Sequence, residues 1–145
     1  MTSVRGLVDD SGSFRIKFHL YGVADDPPGP EFEGIFDTGF DGFLQFPTDR
    51  ALPLRLPLVG TATFTQASGR QVSRYQAMGM MTLAGRTETV VVSLAPKSEV
   101  ILVGTQILRV FQLGLLIVGR EVVLADEADL KRVMDSGLID LPIVA

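Results

Sequence analysis

One aspartate in this sequence lies where a carboxylate could do chemistry. Asp37 follows the apolar pair Ile35-Phe36 and precedes Thr38-Gly39, and a second apolar pair, Phe43-Leu44, begins a few residues later. This layout predicts a tight loop between two buried strands. Gly39 lets the backbone approach the Asp37 carboxylate and donate N–H bonds to it. A carboxylate held in this way can take a proton from water, which metal-free hydrolysis of a peptide bond requires.

Such a site needs a second carboxylate. Two carboxylates about 3 Å apart cannot both ionise, so they share the one proton that must reach the carbonyl oxygen. Asp10-Ser11-Gly12 and Asp135-Ser136-Gly137 are candidates within the chain. Each would need its own lobe of roughly 100 residues, so we interpret the first as a hairpin turn and the second as a helix end capped by Gly137. A second copy of the chain is the remaining source, because a two-fold axis places identical residues face to face. The alternative is that Asp37 only closes an Asx turn.

The elements that must position Asp37 are predicted to be mostly strands. Period-two patterning and turn residues predict strands at 3–9, 13–21, 31–36, 43–46, 58–66, 71–83, 86–94, 100–103, 111–118, 121–125 and 138–144. Short helices are predicted at 48–52 and 105–110, with Thr48 and Thr105 as caps, and a longer one at 126–135. The fold class is therefore all-β with one or two short helices and a C-terminal helix extension. We expect a single domain over 1–145, with a core at about 13–125 and a helix and tail at 126–145.

Two features downstream of Asp37 extend the pattern. The strands at 58–66 and 71–83 form a long hairpin whose tip, Ala67-Ser68-Gly69-Arg70, is polar and contains glycine. Such a tip can open for a substrate and close to exclude water. Next comes the apolar run Val100–Val103, which ends at Gly104 and leads into a short helix.

This order of motifs resembles that of the retropepsin-like (clan AA) single-domain aspartic proteases. The matching parts are 35–39, the hairpin at 59–80 and the run at 101–108, within a resemblance that covers roughly 32–116. Phe40 directly after Asp-Thr-Gly is most similar to the bacterial type. The resemblance implies a closed acid-protease barrel acting as a symmetric homodimer, with both Asp37 side chains at the axis and a hairpin flap over the cleft.

The resemblance also implies roles for single residues. Asp37 would be catalytic, Thr38 would hydrogen-bond across the axis, and Gly39 would support the loop. The substrate-binding residues would lie in the loop and at the hairpin tip: Phe40, Asp41, Gly42, Ala67, Ser68, Gly69 and Arg70.

Two positions depart from the family pattern. Phe40 is bulkier than the small residue usual there, so it is expected to fill part of the cleft. In retroviral members the Asp at the position of Asp41 pairs with an Arg that here is Thr105, which leaves Arg109 or Arg50 as substitutes.

Composition argues against several other classes of protein. A net charge of −4 and a pI near 4.9 do not fit a nucleic-acid binder. The absence of cysteine and the single histidine, His19, argue against a zinc site and a Ser-His triad. No apolar run reaches about 18 residues, so we expect no membrane span. We expect no cofactor and no metal, and a cytoplasmic location, because a cysteine-free chain suits a reducing compartment.

Two functional hypotheses follow. The first is an aspartic endopeptidase that cleaves peptide or protein substrates as a homodimer, favoured by mildly acidic pH because the Asp37 pair must hold one proton. The second is a catalytically silent retropepsin-like dimer that serves as a binding or assembly module, with its cleft partly filled by Phe40. A metal-dependent enzyme is a third, weakly supported class.

Overall fold

The computed structural model describes residues 3–22 and 24–136. Most of these residues lie in strands. The strands are β1 (Ser3–Leu7), β2 (Phe14–Tyr21), β3 (Glu31–Phe36), β4 (Leu44–Pro47), β5 (Leu58–Thr65), β6 (Gln71–Leu83), β7 (Arg86–Ala95), β8 (Leu102–Val103), β9 (Leu113–Val118) and β10 (Glu121–Asp126). The helices are α1 (Thr48–Ala51), followed by a 3-10 turn at Leu52–Leu54, α2 (Gln106–Val110) and α3 (Glu127–Ser136).

The larger sheet closes into a six-stranded ring. Its strands run in the order β2-β3-β8-β4-β7-β6, and β6 pairs back to β2 through His19–Thr82, Leu20–Met81 and Tyr21–Met80. Of the seven strands in this sheet, β5 is the one that lies outside the ring, and it pairs along β6. The closed all-β fold expected from the sequence is confirmed.

The core fills the inside of this ring. Alternate residues of β2 are buried, as the period-two pattern predicts: Phe14, Ile16, Phe18 and Leu20. Phe18 packs edge-on against the Phe46 ring, with centroids 6.2 Å apart. The interior therefore holds β3 and β4, the two strands on either side of Asp37, in fixed positions.

A second, three-stranded antiparallel sheet has the order β1-β10-β9. Its central strand is buried from Val122 to Ala125, and Val122 and Leu124 join the core of the barrel. The outer strands leave apolar side chains exposed, among them Ile117 and Leu7. This sheet is therefore attached to the barrel on one face, and within residues 3–22 and 24–136 its outer strands β1 and β9 each pair with β10 alone.

The helix caps differ from their prediction. Pro47 precedes α1, so Thr48 is the first helical residue, and its buried Oγ1 has no partner within the described residues. Thr105 does precede α2 but makes no capping bond. The helix α3 starts one residue later than predicted because Asp126 is its cap: the carboxylate accepts the N–H of Asp129 at 2.9 Å. No helix in 3–22 or 24–136 is long and apolar enough to cross a membrane. The predicted Gly137 cap and strand 138–144 lie outside the described residues.

Candidate active site

The loop that carries Asp37 is fixed at its start by β8. Strands β3 and β8 run parallel, and the N–H of Ile35 donates to the Ile101 carbonyl at 2.8 Å. The N–H of Asp37 itself donates to the Val103 carbonyl at 3.0 Å. The apolar run at 101–103 is thus the backbone support of the candidate catalytic residue, and its side chains Ile101 and Val103 are buried in the core.

The far side of the loop is held by three successive backbone donors after β8. The N–H of Gly104 donates to Phe43 at 2.7 Å, that of Thr105 to Phe40 at 2.9 Å, and that of Gln106 to Gly42 at 3.1 Å. A Cβ at Gly104 would collide with the Gly42 carbonyl oxygen. The glycine that ends the apolar run is therefore required by the close approach of two backbones.

The Asp37 carboxylate is half-buried and bound to its own loop. Its Oδ1 accepts the N–H of Gly39 at 2.9 Å, as the sequence predicts. Thr38 is exposed, and its hydroxyl has no hydrogen-bond partner within the described residues. The loop thus presents an oriented carboxylate and a free hydroxyl on the same surface.

A cleft of about 770 Å³ lies between this loop and the long hairpin, which consists of β5, the connecting residues 66–70 and β6. Its lining combines the loop, the floor of the barrel and the underside of the hairpin: Asp37, Gly39, Phe40, Asp41, Gln45, Thr63, Phe64, Thr65, Gln66, Ala67, Val72, Arg74 and Leu102. The structure therefore places the candidate catalytic residue at a space large enough for part of an extended peptide.

The predicted substrate-binding residues divide into two groups. Phe40, Asp41 and Ala67 line the cleft, together with Asp37 and Gly39. Gly42 lies beneath the Phe40 ring, and residues 68–70 form the exposed turn at the end of the hairpin. That turn is closed by the Gln66 N–H donating to the Arg70 carbonyl at 2.8 Å. The structure therefore brings the first group to the cleft and keeps the second outside its lining.

Phe40 forms one wall of the cleft. A Cβ at Gly42 would lie 2.6 Å from the ring, and one at Gly104 would lie 2.8 Å from it. The ring therefore rests on two glycines whose missing side chains make room for it. Because the ring packs down onto the loop, the space beside it remains open.

Neither suggested arginine replaces the missing partner of Asp41. The guanidinium of Arg50 lies over the Phe32 ring, 5.5 Å from its centroid, and Arg109 is exposed on α2. No ion pair in the described part of the chain joins Asp41 to either arginine. At the position of the family Arg, the Thr105 hydroxyl lies 3.5 Å from the Phe40 carbonyl oxygen instead.

Sequence reasoning missed the residues on the underside of the hairpin. Phe64 pairs with Val72, and Ala62 with Arg74, so these four share one face. Val72 and Arg74 are partly buried, whereas their neighbours Ser73 and Tyr75 are exposed on the other face. Period-two alternation along 71–76 was a signal that places Arg74 on the same face as Val72, although it does not tell which face meets the cleft.

The chain was compared with known proteins. No protein-family model matches it, and no curated protein sequence is similar to it. It is similar to the crystal structure of a retropepsin-like aspartic protease from Rickettsia conorii, with a TM-score of 0.64 and 14% identity over 86% of this chain and 90% of that one. It is also similar to the solution structure of Simian Foamy Virus (mac) protease, with a TM-score of 0.47 and 14% identity over 66% of this chain and 92% of that one. From the closed ring, the Asp37 loop and the first of these similarities, we conclude that the chain has the fold of the retropepsin-like aspartic proteases.

Proposed function

We propose that this protein is an aspartic endopeptidase that acts as a homodimer, with Asp37 of each copy forming the catalytic pair. The observation that carries the proposal is the position of the Asp37 carboxylate, which lies in a retropepsin-like fold at a cleft covered by a long hairpin. A metal is not needed for this chemistry, because two carboxylates supply both the base and the acid.

Several surface features support a second copy beside the loop. The Thr38 hydroxyl is exposed and unpaired within the described chain, so it is available to a neighbour. A cavity of about 440 Å³ next to Asp37 is lined partly by Leu115 and Ile117 of β9. Ile117 is 51% exposed, and in the described part of the chain β9 has a strand neighbour on one side only. An exposed apolar edge strand is a surface that proteins normally cover.

In the proposed reaction, a water molecule lies between the two Asp37 carboxyl groups. The ionised carboxylate takes a proton from the water as its oxygen bonds to the substrate carbonyl carbon, and the protonated carboxyl gives its proton to the carbonyl oxygen. The C–N bond of this tetrahedral intermediate then breaks as the nitrogen takes the proton from one carboxyl group, while the other carboxylate takes a proton from one of the two hydroxyls. This releases an amine and a carboxylic acid and leaves the pair with one proton again. The rate should peak below neutral pH, because the pair must retain one proton.

The substrate would be a peptide or protein segment in extended form. It would lie between the Asp37 loop and the hairpin as an added strand, with its side chains directed alternately to the two walls. The cysteine-free sequence suits a reducing compartment and supports a cytoplasmic location.

The first test combines oligomeric state with activity. We expect a dimer by sedimentation, cleavage of a peptide library between about pH 4 and 8, and loss of that cleavage in Asp37→Asn, which keeps the size of the side chain. Asp10→Asn is the matched control, since Asp10 lies in a similar triplet on an exposed turn. Equal cleavage by wild type and Asp37→Asn would refute the catalytic assignment.

The competing function is a dimeric binding or assembly module of the same fold. The observation that favours it is Phe40, because its ring occupies part of the cleft wall where a small residue would leave more room for a substrate. A folded dimer that binds peptides and cleaves none between these pH values would support the module over the enzyme.

A further inference from the structure

Arg74 carries a charge in the cleft that the proposed chemistry does not use. Among the described residues that line the cleft, it is the one basic side chain, beside two carboxylates, Asp37 and Asp41. The mechanism assigns Asp37 to water activation, and the resemblance assigns Asp41 to substrate binding. A role for Arg74 must therefore come from its own surroundings.

The position of Arg74 on the hairpin directs it into the cleft. It lies opposite Ala62 on β5. This pair is two residues further from the hairpin tip than the apolar pair Phe64–Val72 and lies on the same face. Ala62 has only a methyl group, so no large side chain on β5 covers the arginine. Arg74 is partly buried, while Ser73 and Tyr75 on the outer face are exposed.

The Arg74 guanidinium has no hydrogen bond or ion pair within residues 3–22 and 24–136. Arg86, which is also partly buried, shows the usual arrangement: it donates to Glu88 at 2.8 Å and to the Phe111 carbonyl at 3.3 Å. A guanidinium that is partly removed from water without a partner loses hydration and gains nothing in return. That arrangement suits a side chain whose partner arrives with the ligand.

We propose that Arg74 binds the carboxylate of an acidic residue of the substrate and so makes the cleft selective for peptides with Asp or Glu near the cleavage point. The planar guanidinium can donate two parallel hydrogen bonds to a carboxylate, which a neutral amide cannot accept in the same way. In an extended peptide, alternate side chains face the hairpin. One of them therefore meets Arg74 when the peptide pairs along β6. The inference deepens the proposed function, because it concerns the ligand of the same cleft.

The test uses pairs of peptides that differ only by Glu or Gln at one position, scanned along a cleaved sequence. For wild type we expect one position where kcat/KM is about 10- to 100-fold higher with Glu, from the strength of hydrogen bonds to a charged group. Arg74→Met should abolish this ratio while keeping cleavage of the Gln peptide. Arg74→Glu should reverse the preference towards Lys at that position.

The Glu/Gln ratio is measured within one variant, so a change in folding or in overall rate does not alter the conclusion. Arg132→Met is the matched control: it removes one charge from an exposed site on α3, outside the cleft, and should keep the wild-type ratio. A ratio near one at every position in wild type, or an unchanged ratio in Arg74→Met, would overturn the proposal. Equal losses with both peptides would show a general structural role for Arg74 and would also overturn it.

A binding measurement separates this inference from the proposed protease activity. The same labelled peptides are titrated with Asp37→Asn, alone and combined with Arg74→Met, and followed by fluorescence anisotropy. Suppose that wild type cleaves no peptide, but Asp37→Asn binds the Glu peptide at least tenfold more tightly than the Gln peptide and Arg74→Met removes that difference. This result would support the Arg74 assignment and refute the proposed protease activity. Absence of both cleavage and binding would overturn both.

Discussion

Gly104→Ala is the substitution that tests most directly how the Asp37 loop is held. The new Cβ would collide with the Gly42 carbonyl oxygen and lie 2.8 Å from the Phe40 ring. Ordinary contacts to a Cβ start near 3.4 Å, so the two backbones must separate. One of the atoms that must move, the Gly42 carbonyl oxygen, accepts the bond from Gln106, and the carbonyls of Phe40 and Phe43 in the same loop accept those from Thr105 and Gly104.

The size of the effect follows from those three bonds. A backbone hydrogen bond contributes about 1 kcal/mol net, so weakening one to three of them should lower the free energy of unfolding by about 1–3 kcal/mol. For a chain of 145 residues, each kcal/mol corresponds to a fall in Tm of about 3–4 °C. A displacement of about 1 Å at the loop should also reduce kcat/KM by about a hundredfold, if Asp37 is catalytic.

The assays are thermal unfolding, amide hydrogen exchange and peptide cleavage. Gly85→Ala is the control, because Gly85 has φ +78° in the β6–β7 turn and nothing within 4 Å of a Cβ. It should lose about 1–2 kcal/mol from backbone strain alone, with unchanged exchange at residues 104–106. If Gly104→Ala unfolds within about 0.5 kcal/mol of wild type and keeps the protection of those three amides, the steric account of this loop is wrong.

Three further substitutions test the surface beside the loop and the turn before β2. Thr38→Val should change the stability of each copy by less than about 0.5 kcal/mol, but raise the dimer Kd about tenfold through lost inter-copy hydrogen bonds, measured by sedimentation; an unchanged Kd would contradict the bridging role. The Ser11 hydroxyl, at 2.6 Å, and then the Ser13 N–H hold the pKa of Asp9 below its ordinary value of 3.8. Because this pKa is lowered by folding, the stabilisation is present above about pH 3.8 and is lost as the pH falls further. Ser11→Ala should raise the Asp9 pKa in a carboxyl NMR titration, whereas Ser13→Ala keeps the donating N–H and should have a smaller effect; equal shifts would refute this order of causes.

Strand positions were predictable wherever burial alternates along the whole strand. The bounds predicted for 31–36 and 71–83 match β3 and β6. This agreement arises because a one-residue slip would move every covered side chain to the other face. The bond from the Gly39 N–H to the Asp37 carboxylate was predictable because it lies within one tight loop, whereas the contact between Gly104 and Gly42 joins segments that are far apart in the chain.

The helix caps were not predictable from residue type. Thr48 and Thr105 both belong to the class that caps helices, yet neither hydroxyl does so. Pro47 occupies the cap position of α1, so Thr48 lies inside the helix. The Thr105 hydroxyl lies 3.5 Å from the Phe40 carbonyl oxygen and makes no capping bond to the first turn of α2. For Thr105 the deciding neighbour, Phe40, becomes adjacent only in the folded chain, whereas for Thr48 the position of the first helical turn relative to Pro47 decides the outcome.

The sequence did not predict which face of β6 lines the cleft, because the surroundings of this strand change along its length. In the barrel the odd-numbered residues, such as Ala77 and Met81, are buried in the core, whereas in the outer half Val72 and Arg74 are the covered ones. The strand keeps the same two faces along its length, but the face that is covered in the barrel differs from the face that is covered in the outer half of the hairpin. Sequence alternation identifies two faces but does not tell which of them meets a cleft.

That change of environment coincides with an irregularity in the partner strand. The register of β5 against β6 shifts between Leu58 and Gly60, at the point where the hairpin leaves the barrel. Arg74 lies beyond this shift, whereas Asp37 is bonded to β8 inside the barrel. The distance between the two side chains is therefore set by the angle of the hairpin. It follows that an acidic peptide bound to both walls would hold the hairpin over the Asp37 loop, so that recognition by Arg74 and closure of the cleft would be one event.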